Sequence, residues 1–291
     1  MSPPVSNSVD LGSTGSDPLA PVDRGLFDRV VAHLLAAAAK APAYDEPFPH
    51  TLIPDLFPAD VYGRIQAFLP DPNLYTRFSY GKHQDADGVS NRRRFQLDQQ
   101  TIAVLDAERQ TFWRTIRNAI GSEAFKRAVF DRVRAGLKLR YGVSDDDVTS
   151  LPGYALPELF HESASYQIAP HPDTRRKVVT MQIALPVDDS FASMGTEFYR
   201  RSLRPSHWSR PPKGFEVAKT MPFVPNTAYA FSVLNTVRLK SWHGRSQMNV
   251  ASTDDRPVVR NSILNIWYER IEDANAEIVA DNAATLARRA A

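Results

Sequence analysis

The chain has 291 residues, 43% of them hydrophobic and 23% charged, with a formal net charge of +2 and no cysteine. That length buries one large core or two modest ones, and so small a charge excess gives no electrostatic footprint for nucleic acid. No apolar run approaches the roughly 20 residues that span a bilayer, so no membrane partner is expected, and without cysteine there is no disulfide framework, thiolate metal site or cysteine nucleophile.

Residues 1–22 begin MSPPVSNSVDLGSTGSDPLAP. They lack the basic start and apolar stretch of a secretory signal, and their Ser, Pro, Gly and Asp content reads as a disordered leader; the cytoplasm is the default location. Residues 23–150 read as a helical support layer. Asp23 is placed to cap a helix through LFDRVVAHLLAAAAKA that stops near Pro42. HTLI reads as a short extended piece, and Val61, Ile65, Phe68 and Leu69 give a helix from about Ala59 its apolar face. Residues 71–98 are polar and turn-rich. Their Arg92-Arg93-Arg94 run is either a solvated loop or a lid that meets an anionic substrate. From Thr101 to Tyr141 apolar residues recur at three and four, which predicts two helices, the second capped by Ser122.

The character changes after the acidic loop SDDDVTSLPG. Between residues 151 and 270 seven short runs read as strands: SASYQIA, KVVTMQIALP, GTEFYRR, FEVAKTMPF, TAYAFSV, SWHGRSQ and RNSILNIWYER. Short strands separated by turn signals predict a sandwich or barrel. Residues 271–291, with EDANAEIVADNAATLARRA, return to helix. The fold class is therefore α+β, mainly β: a barrel-like core with supporting N-terminal helices and a C-terminal helix, residues 23–291 forming one unit.

The chemistry lies in SYQIAPHPDTRRKVVTMQIALP, residues 165–186. Proline cannot donate to a sheet ladder, so His171 and Asp173 flank a strand end or loop, an imidazole and a carboxylate two residues apart. His243, in SWHGRSQ, supplies a third ligand. Two His and one carboxylate hold a divalent metal and leave three positions open, the facial triad of non-haem Fe(II) oxygenases. Arg260 and Ser262, in RPVVRNSILNIWYER, share one face of a strand. An Arg fork beside a hydroxyl suits bidentate capture of a carboxylate.

In this order, His171-Pro-Asp173, His243 and Arg260-Asn-Ser262 resemble the Fe(II)/2-oxoglutarate-dependent dioxygenases, whose fold is the double-stranded β-helix, or jelly roll. PFPHTLIPDLFPADVYGRI, RKVVTMQIALPVDDSFASMGTEFYR and VPNTAYAFSVLNTVRLKSWHG resemble the prolyl-hydroxylase-like branch of that family. The resemblance implies Fe(II) at His171, Asp173 and His243, and 2-oxoglutarate paired with Arg260 and assisted by Ser262. Tyr166 is the candidate for the family's cosubstrate-pocket tyrosine. Gln182 and Thr180 share a strand face that could also point inward. Arg260 stands farther beyond the distal His than in many members, because STDDRP intervenes. Family halogenases have a small residue where Asp173 stands, so hydroxylation is the expected outcome, with O2 consumed and 2-oxoglutarate converted to succinate and CO2.

Arg175 and Arg176 follow the Asp ligand at once, and Arg93 with its neighbours belongs to a polar segment long enough to fold over a pocket. They lead to the expectation of a small, polar, acid-bearing metabolite as substrate. Two alternatives stay open: a peptidyl, prolyl-type hydroxylase, and more distantly a cupin-like isomerase or ligand-binding module, although cupins typically use more His and lack the Arg-x-Ser strand. His161 reads as packed or solvent-facing, and Trp242 as alternating away from the metal.

Overall fold

Asp23 accepts a hydrogen bond from the Leu26 amide at 2.9 Å and starts α1 (Arg24–Lys40). The computed structural model describes residues 22–78, 91–163, 165–209, 211–246 and 258–273; all but the last residue of the predicted leader and nearly all of the predicted C-terminal helix lie outside them. After α1 come β1 (Ala43–Tyr44), β2 (His50–Ile53), α2 (Ala59–Ala67) and β3 (Thr76–Arg77). The segment 99–141 forms α3 (Gln99–Ile102), α4 (Ala107–Ile120), α5 (Glu123–Arg132) and α6 (Arg134–Tyr141) rather than two helices. The extra breaks have identifiable causes. Asp98 and Asp106 each accept from the amide three residues on, at 2.7 and 2.9 Å, which starts a new helix where apolar spacing alone runs on. Ser122 caps α5 as predicted, accepting from the Phe125 amide at 3.3 Å.

The run Arg92-Arg93-Arg94 is neither a solvated loop nor a lid. It begins β4 (Arg92–Gln96), which pairs antiparallel with β5 (Tyr154–Ser163). The strand β5 is itself absent from the seven predicted runs, since its inward residues include Glu158 and Glu162, both buried, and charged positions disguise the alternation.

The remaining strands are β6 (Ile168–His171), β7 (Lys177–Ala184), β8 (Glu197–Arg201), β9 (Phe215–Thr220), β10 (Ala228–Ser232), β11 (His243–Arg245) and β12 (Val259–Tyr268). Their pairings are nested: β5 with β12, β6 with β11, β7 with β10, and β8 with β9, all antiparallel. This is a long hairpin whose two arms are wound together. Winding brings β7 beside β12 and β8 beside β11 and splits the strands into an eight-stranded sheet, β1-β2-β10-β7-β12-β5-β4-β3, and a four-stranded one, β6-β11-β8-β9. The result is the double-stranded β-helix, a jelly roll.

The two faces of the large sheet differ in chemistry because side chains alternate along a strand. Val179, Met181, Ile183, Ile263 and Trp267 point outward and bury against the helices. Thr180, Gln182, Arg260 and Ser262 point into the roll, beside a second apolar cluster built on Phe198, Tyr229 and Phe231. Among the described residues no helix is long and apolar enough to cross a membrane. Trp267 is fully buried, with Phe130 edge-on at 5.9 Å and Phe125 at 6.3 Å. Trp267→Ala is therefore expected to cost about 3–5 kcal/mol of stability, measured by urea unfolding followed by circular dichroism; a loss under about 1 kcal/mol would mean that the helices do not rest on this strand.

Candidate metal centre and the pocket behind it

His171 ends β6 and His243 begins β11, and the two are direct register partners. Nested pairing thus sets side by side two imidazoles separated by 72 positions in the sequence, with ring centroids 4.4 Å apart. Gly244 allows the close approach: a Cβ there would stand 2.6 Å from the Ile168 carbonyl oxygen. Asp173, two residues past β6, completes the group, and one donor atom from each of the three side chains lies within 4.8 Å of the others. The Asp173 Oδ2 to His243 Nε2 distance is 3.8 Å.

The imidazoles are aimed. His171 Nδ1 lies 2.9 Å from the Ala169 carbonyl oxygen, and His243 Nδ1 lies 2.9 Å from that of Ser241. A carbonyl only accepts, so each Nδ1 carries the proton and each Nε2 keeps a lone pair for a metal, the usual outer support of a ligating imidazole. Burial lowers the pKa of both rings, that of His243 to about 4, so both are neutral near pH 7. Burial opposes ionisation of Asp173, but the Lys177 ammonium at 2.9 Å, the neighbouring His243 and the Thr180 hydroxyl at 2.7 Å outweigh it and hold the carboxyl well below the usual range. Two neutral imidazoles and one ionised carboxylate are a donor set suited to a borderline divalent cation such as Fe(II).

Behind the triad the cavity, about 110 Å³, is ringed by charge. Arg92, Glu162 and Arg260 stand opposite one another on the adjacent strands β4, β5 and β12, and Arg245 reaches in from β11. Arg260 Nη1 donates to Glu162 Oε2 at 2.6 Å, and its Nη2 to Gln182 Oε1 at 2.7 Å and Thr196 Oγ1 at 3.2 Å. Arg245 Nη1 donates to the same Glu162 oxygen at 3.1 Å, while Arg92 Nε lies 3.1 Å from Oε1. Burial works against the Glu162 charge, but the three guanidinium groups hold its pKa below the ordinary value. The Tyr229 hydroxyl lies 2.6 Å from Gln182 Oε1 and 2.7 Å from Thr196 Oγ1, and burial lifts its pKa to about 12, so it stays a donor.

Of the residues singled out in the sequence, His171, Asp173, His243, Arg260, Gln182, Thr180 and Tyr166 line this cavity. The Tyr166 hydroxyl accepts from Arg92 Nη1 at 2.9 Å. Ser262 stands one layer back, where its hydroxyl accepts from Gln182 Nε2 at 3.0 Å and sets which end of that amide faces Arg260. Three predicted substrate residues do not reach the cavity. Arg93 is on the opposite face of β4 and contacts the Pro72 carbonyl. Arg175 donates to the Asn235 carbonyl at 3.1 Å on the surface. The Arg176 side chain is 60% exposed and lies 3.6 Å from Asp273. His161 faces away, against Asn261.

The sequence reading passed over Glu162, Lys177, Thr196 and Tyr229 and held Arg245 only as a substitute for Arg260. A usable signal existed for Arg245, which alternates with His243 in His243-Gly244-Arg245 and so shares its face. Glu162 offers a weaker one, an acid closing an apolar run in ELFHE.

No family model matches the chain, and no curated protein does. Solved structures are similar at low identity. A prolyl hydroxylase from Trichoplax adhaerens, in complex with a hypoxia-inducible-factor oxygen-degradation-domain peptide fragment, is 9% identical with a TM-score of 0.47, over 86% of this chain and 93% of that one. A prolyl-4-hydroxylase from Pseudomonas putida is 10% identical with a TM-score of 0.44, over 83% and 99%. An oxidoreductase of the 2OG-Fe(II) oxygenase family from Burkholderia pseudomallei is 15% identical with a TM-score of 0.42, over 86% and 94%.

The buried imidazoles make the metal-free protein acid-sensitive. His243 and His50 drop from 6.5 to about 4 on folding, burial being the main cause in both. Between those values the unfolded chain binds protons that the folded chain refuses, so stability falls as pH is lowered through the window. The urea midpoint of metal-free protein is expected to fall steadily between about pH 7 and pH 4.5, and a midpoint that stays level would mean the rings charge without leaving the fold.

Proposed function

We propose that the chain is a non-haem Fe(II)/2-oxoglutarate-dependent oxygenase that hydroxylates an aliphatic C–H of a small, polar, acid-bearing substrate. The observation that carries the reading is the triad: two Nε2 lone pairs and one ionised carboxylate converge at the mouth of a buried, arginine-lined cavity. His171, Asp173 and His243 would hold Fe(II), leaving three positions for cosubstrate and oxygen. Iron with 2-oxoglutarate and O2 supplies the oxidising power: one oxygen atom goes to the substrate C–H and the other to succinate, with release of CO2.

The protein's own residues do the positioning. Arg260 supplies the guanidinium for the distal carboxylate of 2-oxoglutarate, and Thr196 and Tyr229, already at its side, supply hydroxyl donors. Glu162 keeps that guanidinium turned inward by taking its Nη1. Ser262 acts through Gln182, whose amide it orients. Thr180 and Lys177 hold the Asp173 carboxylate ionised and fix its rotamer. Phe231, 4.8 Å from the His243 ring, closes the apolar side and keeps water from the reacting carbon. The acid-bearing substrate is supported by charge: Arg92, Lys177, Arg245 and Arg260 line the cavity together with Glu162 and Asp173.

Purified protein given Fe(II), 2-oxoglutarate and O2 is expected to release succinate, and His243→Ala to abolish that release while circular dichroism stays unchanged. Succinate release that survives in His243→Ala sinks the triad assignment. Arg260→Lys replaces a fork by a point charge. Losing one charge-assisted hydrogen bond is worth about 1.5–3 kcal/mol, so the KM for 2-oxoglutarate is expected to rise roughly ten- to a hundredfold, and an unchanged KM would move the cosubstrate contact to another base.

A further inference from the structure

Arg140 stands in the last turn of α6, outside the roll, yet its side chain is only 12% exposed. Its guanidinium is taken up almost entirely by backbone. Nη1 donates to the carbonyls of Lys177 and Val233, the latter at 2.9 Å. Nη2 donates to the Arg175 carbonyl and, at 3.3 Å, to Glu269 Oε2. Arg175 and Lys177 belong to the turn that leaves Asp173 and enters β7. That turn closes with the Lys177 amide on the Thr174 carbonyl at 3.2 Å, and the Arg176 carbonyl accepts from the Glu269 amide at 2.8 Å. From the other side the Asn235 side-chain amide donates to the Asp173 carbonyl at 3.2 Å. A planar fork fixes the spacing of the carbonyls it spans, which a single ammonium cannot do. The helix is seated for this contact: a Cβ on Gly136 would overlap Ser232 Oγ, so glycine lets α6 lie this close to β10.

We infer that Arg140 is a positioning residue of the metal centre: it grips the Arg175 and Lys177 carbonyls, sets the turn that brings the Lys177 ammonium against the Asp173 carboxylate, and so governs the affinity of the triad for a divalent cation. The link is short. Lys177 Nζ reaches Asp173 Oδ1 at 2.9 Å, from a residue whose own carbonyl Arg140 holds. A ligating carboxylate needs its direction held to about 10–20°, and Asp173 follows β6 without being part of it. The turn and the Thr180 hydroxyl therefore supply that direction. The helical layer is then a component of the site as well as its support. The inference rests on the triad holding a metal, and on nothing in the proposed reaction beyond that.

The test is Co(II) binding to the metal-free protein, read from the visible absorption of the bound ion. Arg140→Lys keeps the charge without the fork, and Arg140→Gln keeps one donor group without the charge. Loss of an outer partner of a metal ligand costs about 10–100-fold in metal affinity. The Co(II) dissociation constant is expected to rise by that factor in both variants, with the absorption band displaced. Val30→Ala, in the buried face of α1, is the control for stability: it is expected to lower the melting temperature and leave Co(II) binding unchanged. A folded Arg140 variant that binds Co(II) within about threefold of wild type, with the same band, makes the arginine a structural tie and overturns the inference. Equal weakening in Val30→Ala does so as well. A further measurement needs no variant. Coupling is reciprocal, so Zn(II) must tighten the Arg140 contacts, and exchange of its guanidinium hydrogens, followed by ¹⁵N NMR, is expected to slow when Zn(II) is added. Unchanged exchange overturns the inference. A wild-type protein that binds no Co(II) removes the triad reading and this inference with it, whereas one that binds Co(II) but releases no succinate removes only the oxygenase reading.

Discussion

Burying a guanidinium costs several kcal/mol unless an anion and hydrogen bonds meet it, and this roll turns three of them inward around one carboxylate. Glu162 is the residue on which that arrangement depends. It is 1% exposed and touches Arg92, Arg245 and Arg260 at once. Each contact joins a different strand to β5: β4 on one side, β12 on the other, and β11 from the opposite sheet. Sliding β12 by one residue would turn Arg260 out of the roll and leave the carboxylate short of a partner, so the ion network also pins register. Stability and site construction therefore draw on the same side chain.

Nested antiparallel pairing explains why the chemistry collects where it does. The ends of β6 and β11 meet because each arm of the wound hairpin returns past the other, and the same winding puts β7 and β12 next to each other to carry Gln182 and Arg260. Polar side chains on these strands survive burial because each finds partners across the fold, as buried polar groups must. The outer face of the large sheet carries Trp267, Ile263 and Met181 into the helical layer. One alternation rule thus sorts packing to one side and chemistry to the other.

Much of this was legible in the sequence, for stated physical reasons. Short β-branched runs with turn signals between them point to a sandwich or barrel, and the ordered types His171, Asp173 and His243 point to one metal-holding group, which the fold does bring together. Arg260 and Gln182 were legible from strand alternation. What was not legible depended on tertiary pairing. Arg92 to Arg94 read as solvated because three adjacent cations ordinarily are, and only pairing with β5 makes a strand of them, with Arg94 buried and Arg92 turned toward Glu162. Arg175 and Arg176 were near the ligands in sequence, yet the turn after Asp173 sends both outward. Sequence neighbourhood was a poor guide to pocket membership there. Pairing between distant strands was the better one, and it becomes available only with the fold.

The cavity is walled by two different sheets. His171, His243 and Arg245 belong to the four-stranded sheet, while Thr180, Gln182, Tyr229 and Arg260 belong to the eight-stranded one. A ligand that touches both walls would be a strut across the seam between the sheets. Binding that exists only in the closed form adds RT ln(1 + [L]/Kd) to stability, about 2.7 kcal/mol at a hundredfold excess over Kd. Because local opening exposes chain to proteases in proportion to its population, a ligand that bridges the two walls would also slow proteolysis of the chain.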